Sequence, residues 1–180
     1  LPRNMKIEQV IKARTNEPIK LESEGLYVAV EDTSTMRNGF GFVLVDNRFP
    51  KLTRPEKLVK PVHYMSSNKE IQALAENPNF KQALDRYFLG LTSGNQVLAK
   101  RIIKSYYTRV EDANRLFTSY KEGWKTDKGM VYIILGPPSK VQRSRDREIW
   151  LYSQNQNFSE IIFTFNRKPN QFTENNYELV

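Results

Sequence analysis

Hydrophobic side chains recur every three or four positions in the middle of the chain, which is the spacing of an amphipathic helix. One such face begins at Asn79 and contains Phe80, Ala83, Leu84, Tyr87, Phe88 and Leu91. A second stripe spans about residues 95–117 and contains Leu98, Ile102, Tyr106, Val110, Ala113 and Phe117. Ahead of both, Ser67 and Glu70 fit a capping box, so another helix is predicted from Ser67 until Pro78 interrupts it. The polar link between the two striped helices is short, so we expect them to be antiparallel neighbours.

Short runs of β-branched and aromatic residues lie on both sides of this helical region. Before it, residues 26–30 and 40–45 predict a hairpin whose long polar loop ends in the turn-forming pair Asn38-Gly39. After it, three runs predict three strands, at residues 130–135, 148–152 and 161–165. The first of these runs is closed by Gly136-Pro137-Pro138, through which neither a helix nor an inner strand can continue.

The order helix, helix, strand, strand, strand is typical of an α+β fold. We predict an antiparallel helix pair packed on a small three-stranded antiparallel sheet, preceded by a β-rich segment. Residues 1–60 are predicted to be this β-rich segment and a connector, at the end of a preceding β domain. Residues 61–168 are predicted to form the α+β domain, and the polar residues 169–180 a tail.

Composition narrows the chemistry that this fold carries. The 180 residues include no cysteine, which excludes disulfides, thiolate zinc sites and cysteine nucleophiles. The single histidine, His63, does not supply a metal site of usual ligand number, and no serine lies in a Gly-x-Ser-x-Gly elbow. We therefore expect no metal and no cofactor. The longest apolar runs are far shorter than the roughly 20 residues of a transmembrane helix.

One segment is specific enough to indicate a family. Residues 122–138 have the sequence EGWKTDKGMVYIILGPP and are followed by EIWLY at 148–152. Together with YYTRV at 106–110, Ala113-Asn114 and Phe117, they resemble the GWxTD domain over about residues 64–165. We call residues 122–138 the signature segment. The β-rich part before it resembles the end of the sandwich-like region that precedes this domain in longer family members, and a generic parallel exists with small outer-membrane assembly lipoproteins.

This resemblance implies a bacterial envelope protein of a kind that is common in the Bacteroidota and often lipid-anchored. It implies no established enzymatic activity and no catalytic residues. We therefore expect an extracytoplasmic location, in the periplasm or at the outer membrane, with a lipid anchor in a segment upstream of the sequence.

The signature segment has a structural interpretation. Gly123, just after the long helix, suits a left-handed C-cap, and Trp124 is expected to cover the helix end and the sheet. Thr126 and Asp127 are expected to accept backbone amides in a turn that enters a strand. Pro137 and Pro138 are expected to fix a turn between two strands and to present it at one end of the sheet.

Our leading hypothesis is a non-catalytic scaffold or protein-binding module in a periplasmic or outer-membrane assembly. The predicted motif surface consists of Trp124, Asp127, Pro137, Pro138 and Trp150. The predicted electrostatic contact lies in a loop between two strands, where a single acid, Asp146, accompanies Lys140, Arg143, Arg145 and Arg147. The net charge of +8 favours acidic partners in general. We expect an envelope protein as partner, with anionic lipid or polysaccharide as alternatives.

Two rival functions stay open. The first is a hydrolase-like enzyme that uses Asp127 or Glu122, which a pocket containing both carboxylates would favour. The second is a polyanion or nucleic-acid binder that uses the loop from Arg143 to Arg147, with stacking on Tyr132, Trp150, Tyr152, Phe163 and Phe165. We do not expect nucleic acid, because no RNP, KH or helix-turn-helix pattern accompanies these residues and aromatic side chains on a small sheet are usually core.

Overall fold

The computed structural model describes residues 6–14, 16–31, 39–154 and 159–180. This part of the chain is α+β, with five α-helices and two antiparallel sheets. The helices are α1 (Pro55–Leu58), α2 (Asn68–Ala75), α3 (Phe80–Leu91), α4 (Gln96–Phe117) and α5 (Asp127–Leu135), with 3₁₀ turns at Lys60–Met65 and Gly123–Lys125. The strands are β1 (Gly25–Ala29), β2 (Phe40–Leu44), β3 (Lys140–Arg143), β4 (Arg147–Tyr152), β5 (Ile161–Arg167) and β6 (Tyr177–Leu179).

The three helices predicted from hydrophobic spacing and capping are confirmed as α2, α3 and α4. In the capping box before α2, the Glu70 carboxylate accepts the Ser67 amide at 2.7 Å and the Ser67 hydroxyl accepts the Glu70 amide at 3.4 Å. Pro78 lies between α2 and α3. The side chains of Asn79 and Asn95 then cap α3 and α4, each accepting an amide at 3.0 Å.

The prediction of a strand at residues 130–135 is wrong, because these residues belong to α5. Thr126 caps this helix by accepting the Gly129 amide at 3.0 Å, and Gly136 ends it with a φ of 82°. On one side of α5, Val131 packs into the sheet core, and on the other side Ile133 packs against α4. A helix covered on both sides has a continuous apolar sequence, which lacks the period that distinguishes a helix from a strand.

The main sheet has four strands in the order β3-β4-β5-β6, rather than the three that were predicted. Its first strand, β3, lies in the segment interpreted as a basic loop, and pairs with β4 in the register Lys140↔Leu151. Its last strand, β6, lies in the segment interpreted as a tail, and pairs with β5 in the register Phe165↔Leu179. The predicted α+β class is therefore confirmed, and the predicted number of strands is wrong.

The predicted amino-terminal hairpin is confirmed as the pair β1 and β2, with Gly25 opposite Leu44. Its predicted turn at Asn38-Gly39 lies partly outside the described residues. Residues after 169 help to hold this hairpin, because the Phe172 side chain packs against Gly41 and its ring lies 5.8 Å from that of Tyr120. The proposed domain limits at residues 60 and 168 stay predictions.

Three clusters of buried side chains follow one another through the described part of the protein. The first joins Val62 to α2, α3 and the start of α4, and the second joins α4 to Trp124 and Ile133. The third joins α5 to the four-stranded sheet. Because α5 belongs to the second and third clusters, it connects the helical part to the sheet. The signature segment contains this helix and the turn that leads into it.

Candidate functional site

Gly123 brings the signature segment against α4. A Cβ atom at this position would lie 2.7 Å from the carbonyl carbon of Ala113 and 2.8 Å from the Cα of Asn114. Its predicted role as a left-handed C-cap is wrong, because among the described glycines only Gly94 and Gly136 have a positive φ. Glycine is required at this position because the backbone of the signature segment approaches the backbone of α4 too closely for a side chain.

Trp124 is a core side chain of the helical part. It is 6% exposed and packs with Tyr106, Val110, Ala113 and Ile133, so it covers α4 and α5 rather than the sheet. Its amide donates to the Asn114 side chain at 3.1 Å, and its indole N–H donates to Glu122 at 3.1 Å. Asn114 also donates to the carbonyl of Pro50 at 2.9 Å. Trp124 and Asn114 thereby connect α4 to the segment before α1.

Thr126 accepts a nearby backbone amide, as predicted, although the element that follows is a helix. The prediction that Asp127 accepts an amide of the same turn is wrong, because its partner lies in β6. The Thr126 hydroxyl accepts the Gly129 amide and donates to the Gly123 carbonyl at 2.7 Å. The Asp127 carboxylate accepts the amide of Leu179 in β6 at 2.8 Å. These bonds attach α5 to the turn before it and to the last strand of the sheet.

Glu148 is a buried carboxylate with three donors. It is 6% exposed, and its Oε1 accepts the indole N–H of Trp150 at 2.6 Å. Its Oε2 accepts from Lys128 Nζ at 3.0 Å and from Arg143 Nε at 3.3 Å. Burial raises the pKa of Glu148, but the bonds from Trp150 and Lys128 and the charge of Arg143 outweigh burial and hold the pKa below its usual range.

These charged side chains lie in an open groove of about 350 Å³ beside the first turn of α5, which we call the α5 groove. Its charged lining consists of Lys121, Lys128, Arg143 and Glu148. Leu116 and Phe117 at the end of α4 supply apolar surface, and Ser119, Asn175 and Asn176 supply polar groups. The Lys128 ammonium also lies over the ring of Tyr177, 3.5 Å from its centroid. The groove therefore has three cations and one anion in its lining.

The predicted basic loop is a β-hairpin, which we call the basic hairpin (residues 139–147). Its two-residue turn, Arg145-Asp146, is closed by the Ser144 amide, which donates to the Arg147 carbonyl at 2.9 Å. All four predicted basic residues are exposed: Lys140, Arg143, Arg145 and Arg147. Of these, Arg143 reaches the α5 groove through its bond to Glu148.

The predicted motif surface does not form a single exposed patch. Trp124 and Trp150 are buried in two different clusters, so their rings are core side chains. Pro137 is exposed and Pro138 is half-buried, but they join α5 to β3 rather than one strand to another. Asp127 is half-buried and is bonded to β6. Of the residues predicted to form a contact surface, only Pro137 and the four cations of the basic hairpin are exposed.

The residues named for the rival functions are dispersed. Glu122 accepts the Trp124 indole N–H and pairs with Lys125, and it lines a second groove of about 290 Å³, whereas Asp127 lines neither groove. The two carboxylates therefore share neither of these grooves. Trp150, Tyr152 and Phe165 are at most 3% exposed, so these rings offer no face on which a base can stack.

Sequence reasoning missed Lys128, Glu148 and Tyr177, which belong to the α5 groove. For Glu148 the sequence contained a signal. Glu148, Trp150 and Tyr152 alternate along β4, and alternation places them on the same face of the sheet, which is the buried face. A carboxylate on a buried face requires a cationic partner. For Lys128 and Tyr177 we find no such signal in the sequence.

Fold and site define a small α+β domain in which one short segment joins the helices to the sheet. The chain belongs to the GWxTD domain family, whose family model matches residues 25–180. No curated protein and no solved structure matches the chain at a significant level. Among the described residues, no helix has both the length and the hydropathy needed to cross a membrane.

Changing Glu148 to glutamine is expected to lower the free energy of unfolding by about 2 kcal/mol at neutral pH, because Lys128 loses its buried counter-charge. The pKa of Glu148 is lowered in the folded protein, so its contribution is complete above the unfolded pKa and is lost as pH falls through the folded value. The stability difference between the two proteins should therefore shrink as the pH falls below the ordinary glutamate pKa of about 4.5. Urea unfolding across this range measures it.

The matched control is Glu160→Gln, at an exposed position before β5. This variant is expected to change stability by less than about 0.5 kcal/mol. A Glu148→Gln effect that stays constant across the acidic range would contradict the assigned charge state of Glu148.

Proposed function

We propose that this protein is a non-catalytic binding module of the bacterial envelope, which docks an acidic region of a protein partner in a periplasmic or outer-membrane assembly. Membership of the GWxTD family and the envelope proteins that it resembles support this placement. The resemblance also supports a lipid anchor upstream of the sequence.

The observation that carries the proposal is the exposed charge of the basic hairpin. Arg145 and Arg147 are exposed at a tight turn between two paired strands, and Lys140 is exposed at the other end of β3. Paired strands hold these cations with less conformational freedom than a loop does, which lowers the entropy cost of docking. Complementary charge of this kind increases the rate of encounter and selects acidic partners.

The internal bonds of the signature segment support a structural role for its polar residues. The Thr126 hydroxyl and the Asp127 carboxylate are bonded to backbone groups of the signature segment and of β6. Groups that hold elements together are poor candidates for proton transfer, which requires a group that reaches the substrate. We therefore place the function on the surface of the module rather than in the signature segment.

The test is a quantitative pull-down from envelope membranes of the source cell with the intact protein and with Arg145→Glu/Arg147→Glu. Arg143 is kept, because its bond to the buried Glu148 ties it to the fold. The control is Arg101→Glu/Lys104→Glu, which makes the same charge change at exposed positions of α4. We expect the hairpin variant to lose about tenfold of the captured partner protein. Equal capture by the hairpin variant and the intact protein would exclude this contact.

A further inference from the structure

We propose that the α5 groove is a binding site for a phosphate monoester. This site goes beyond the docking of a protein partner, since it uses Lys121 and Lys128, which lie outside the basic hairpin. Three features of the groove support this site: its charge, the way its cations are held, and its size and lining.

The charge of the groove matches a dianion. Lys128 and Arg143 are bonded to a single carboxylate, Glu148. Lys121 also lines the groove, with its ammonium 5.6 Å from the centroid of the Tyr120 ring, and it lines the second groove as well. The lining therefore has two positive charges without a counter-charge. A phosphate monoester carries a charge between about −1.5 and −2 at neutral pH, whereas a carboxylate carries only one negative charge. The monoester is therefore the simpler match for this lining.

Glu148 holds two of these cations close together. One oxygen, Oε2, accepts from both Lys128 and Arg143, at 3.0 Å and 3.3 Å. Two cations bonded to the same oxygen repel each other, and a further anion bound between them reduces this repulsion. Because both cations are bonded before any ligand arrives, binding requires little ordering of their side chains.

The bond that holds Arg143 leaves its terminal nitrogens available. Arg143 is bonded to Glu148 through Nε, and its side chain is 72% exposed. The two terminal nitrogens of a guanidinium form the fork that binds two phosphate oxygens. Lys128 adds a point charge at a place fixed by Glu148 and Tyr177, since its side chain is only 12% exposed.

The size and lining of the groove suit an esterified phosphate rather than a free ion alone. A volume of about 350 Å³ exceeds what one phosphate needs and lies at the lower end of small-molecule sites. Leu116 and Phe117 form an apolar wall beside the cations, and Asn175 and Asn176 add amide groups. The organic part of a monoester can contact this wall while its phosphate meets the cations.

Isothermal titration calorimetry with inorganic phosphate and with glucose 1-phosphate tests the site. We expect saturable binding with a dissociation constant of about 1 mM or tighter. Lys121→Gln should weaken it about tenfold, and this variant should fold normally, because Lys121 takes part in no ion pair among the described residues. The control is Lys104→Gln, which makes the same change at an exposed position of α4 outside the groove and should leave binding unchanged.

The source of the phosphate is distinguished with vesicles. Phosphatidic acid presents a monoester, and phosphatidylglycerol presents a diester. The fraction of phosphatidylglycerol is raised until both kinds of vesicle have the same surface charge, because a diester carries only one negative charge and a monoester carries more. Tighter binding to phosphatidic acid vesicles than to phosphatidylglycerol vesicles identifies a lipid headgroup as the ligand. Binding of glucose 1-phosphate without this preference among vesicles identifies a soluble ligand. Either result supports the monoester site. Affinity for glucose 1-phosphate should also rise from about pH 5 to about pH 7, as the phosphate loses its second proton.

Two outcomes overturn the proposal. One is the lack of saturable binding of either soluble phosphate up to about 20 mM. The other is equal binding by the intact protein and Lys121→Gln. Neither outcome concerns partner docking, since Arg145 and Arg147 do not line the groove. A failure of the monoester site is thus distinguishable from a failure of the proposed function.

Discussion

Replacing Gly129 with alanine is expected to lower the free energy of unfolding by about 3 kcal/mol or more, among the largest effects of a single methyl group in this protein. The added Cβ would lie 2.9 Å from the carbonyl carbon of Gly123, still closer to its carbonyl oxygen, and 3.1 Å from the Thr126 hydroxyl. The obstacle is backbone, so it cannot move aside as a side chain can. The clash would separate α5 from the turn that attaches it to α4.

Gly90→Ala is the matched control for this prediction. Gly90 also lies within a helix, α3, but a Cβ there meets nothing within 4 Å. Alanine should therefore stabilise the protein by about 0.5–1 kcal/mol, because it restricts the unfolded chain and favours the helix. Urea unfolding followed by tryptophan fluorescence compares the two variants. A stabilising effect at both positions would contradict the close contact at Gly129.

Trp124→Ala is expected to lower the free energy of unfolding by about 3–5 kcal/mol. The ring is buried among side chains of α4 and α5, so its removal leaves a cavity between the helical part and the signature segment. Its indole bond to Glu122 is lost as well. Chemical unfolding measures the change in the same way as for the glycine variants.

Trp124→Phe separates the two causes of this loss. Phenylalanine keeps most of the buried ring but has no N–H to donate to Glu122, so the loss should be about 1–2 kcal/mol. Partner capture is measured on the same proteins at a temperature at which each is folded. Capture that falls while stability is unchanged would make Trp124 a contact residue and would contradict its place in the core.

The helices that the sequence predicted correctly are those with one face toward solvent. In α3, the polar faces and the Asn79 cap mark both the period and the start of the helix. The same holds for α4 with its Asn95 cap. The start and extent of such helices can be predicted from the sequence, because buried and exposed positions alternate along them with the helical period.

The elements that the sequence missed owe their structure to tertiary packing. The helix α5 is covered by α4 on one side and by the sheet on the other, so its apolar run resembles a buried strand. The strand β6 has only three residues, and Leu179 is fixed by a bond to the distant Asp127. The strand β3 contains three polar residues out of four, as exposed edge strands often do.

The candidate site was predictable only in part. The exposed arginines of the basic hairpin are visible as an excess of charge in the sequence. Lys128 and Glu148 are 20 residues apart and belong to a helix and a strand, so their pairing follows from the packing of α5 on the sheet. A prediction that assigns residues 130–135 to a strand misses the packing of α5 on the sheet, and so does not place Lys128 beside Glu148. The wrong strand at residues 130–135 and the missed α5 groove therefore have the same cause, which is that the sequence pattern did not identify α5 as a helix.

The bond between Asp127 and the Leu179 amide has a consequence for how the chain matures. Its two partners are 52 positions apart, and the strand that supplies the amide is the last element described. During synthesis, α4 and α5 emerge before the sheet and can associate through nearby contacts, whereas β6 emerges after the other three strands of its sheet. Until it arrives, the β5 edge and the first turn of α5 are uncovered. This interval is when a chaperone that recognises exposed strand edges would find its target.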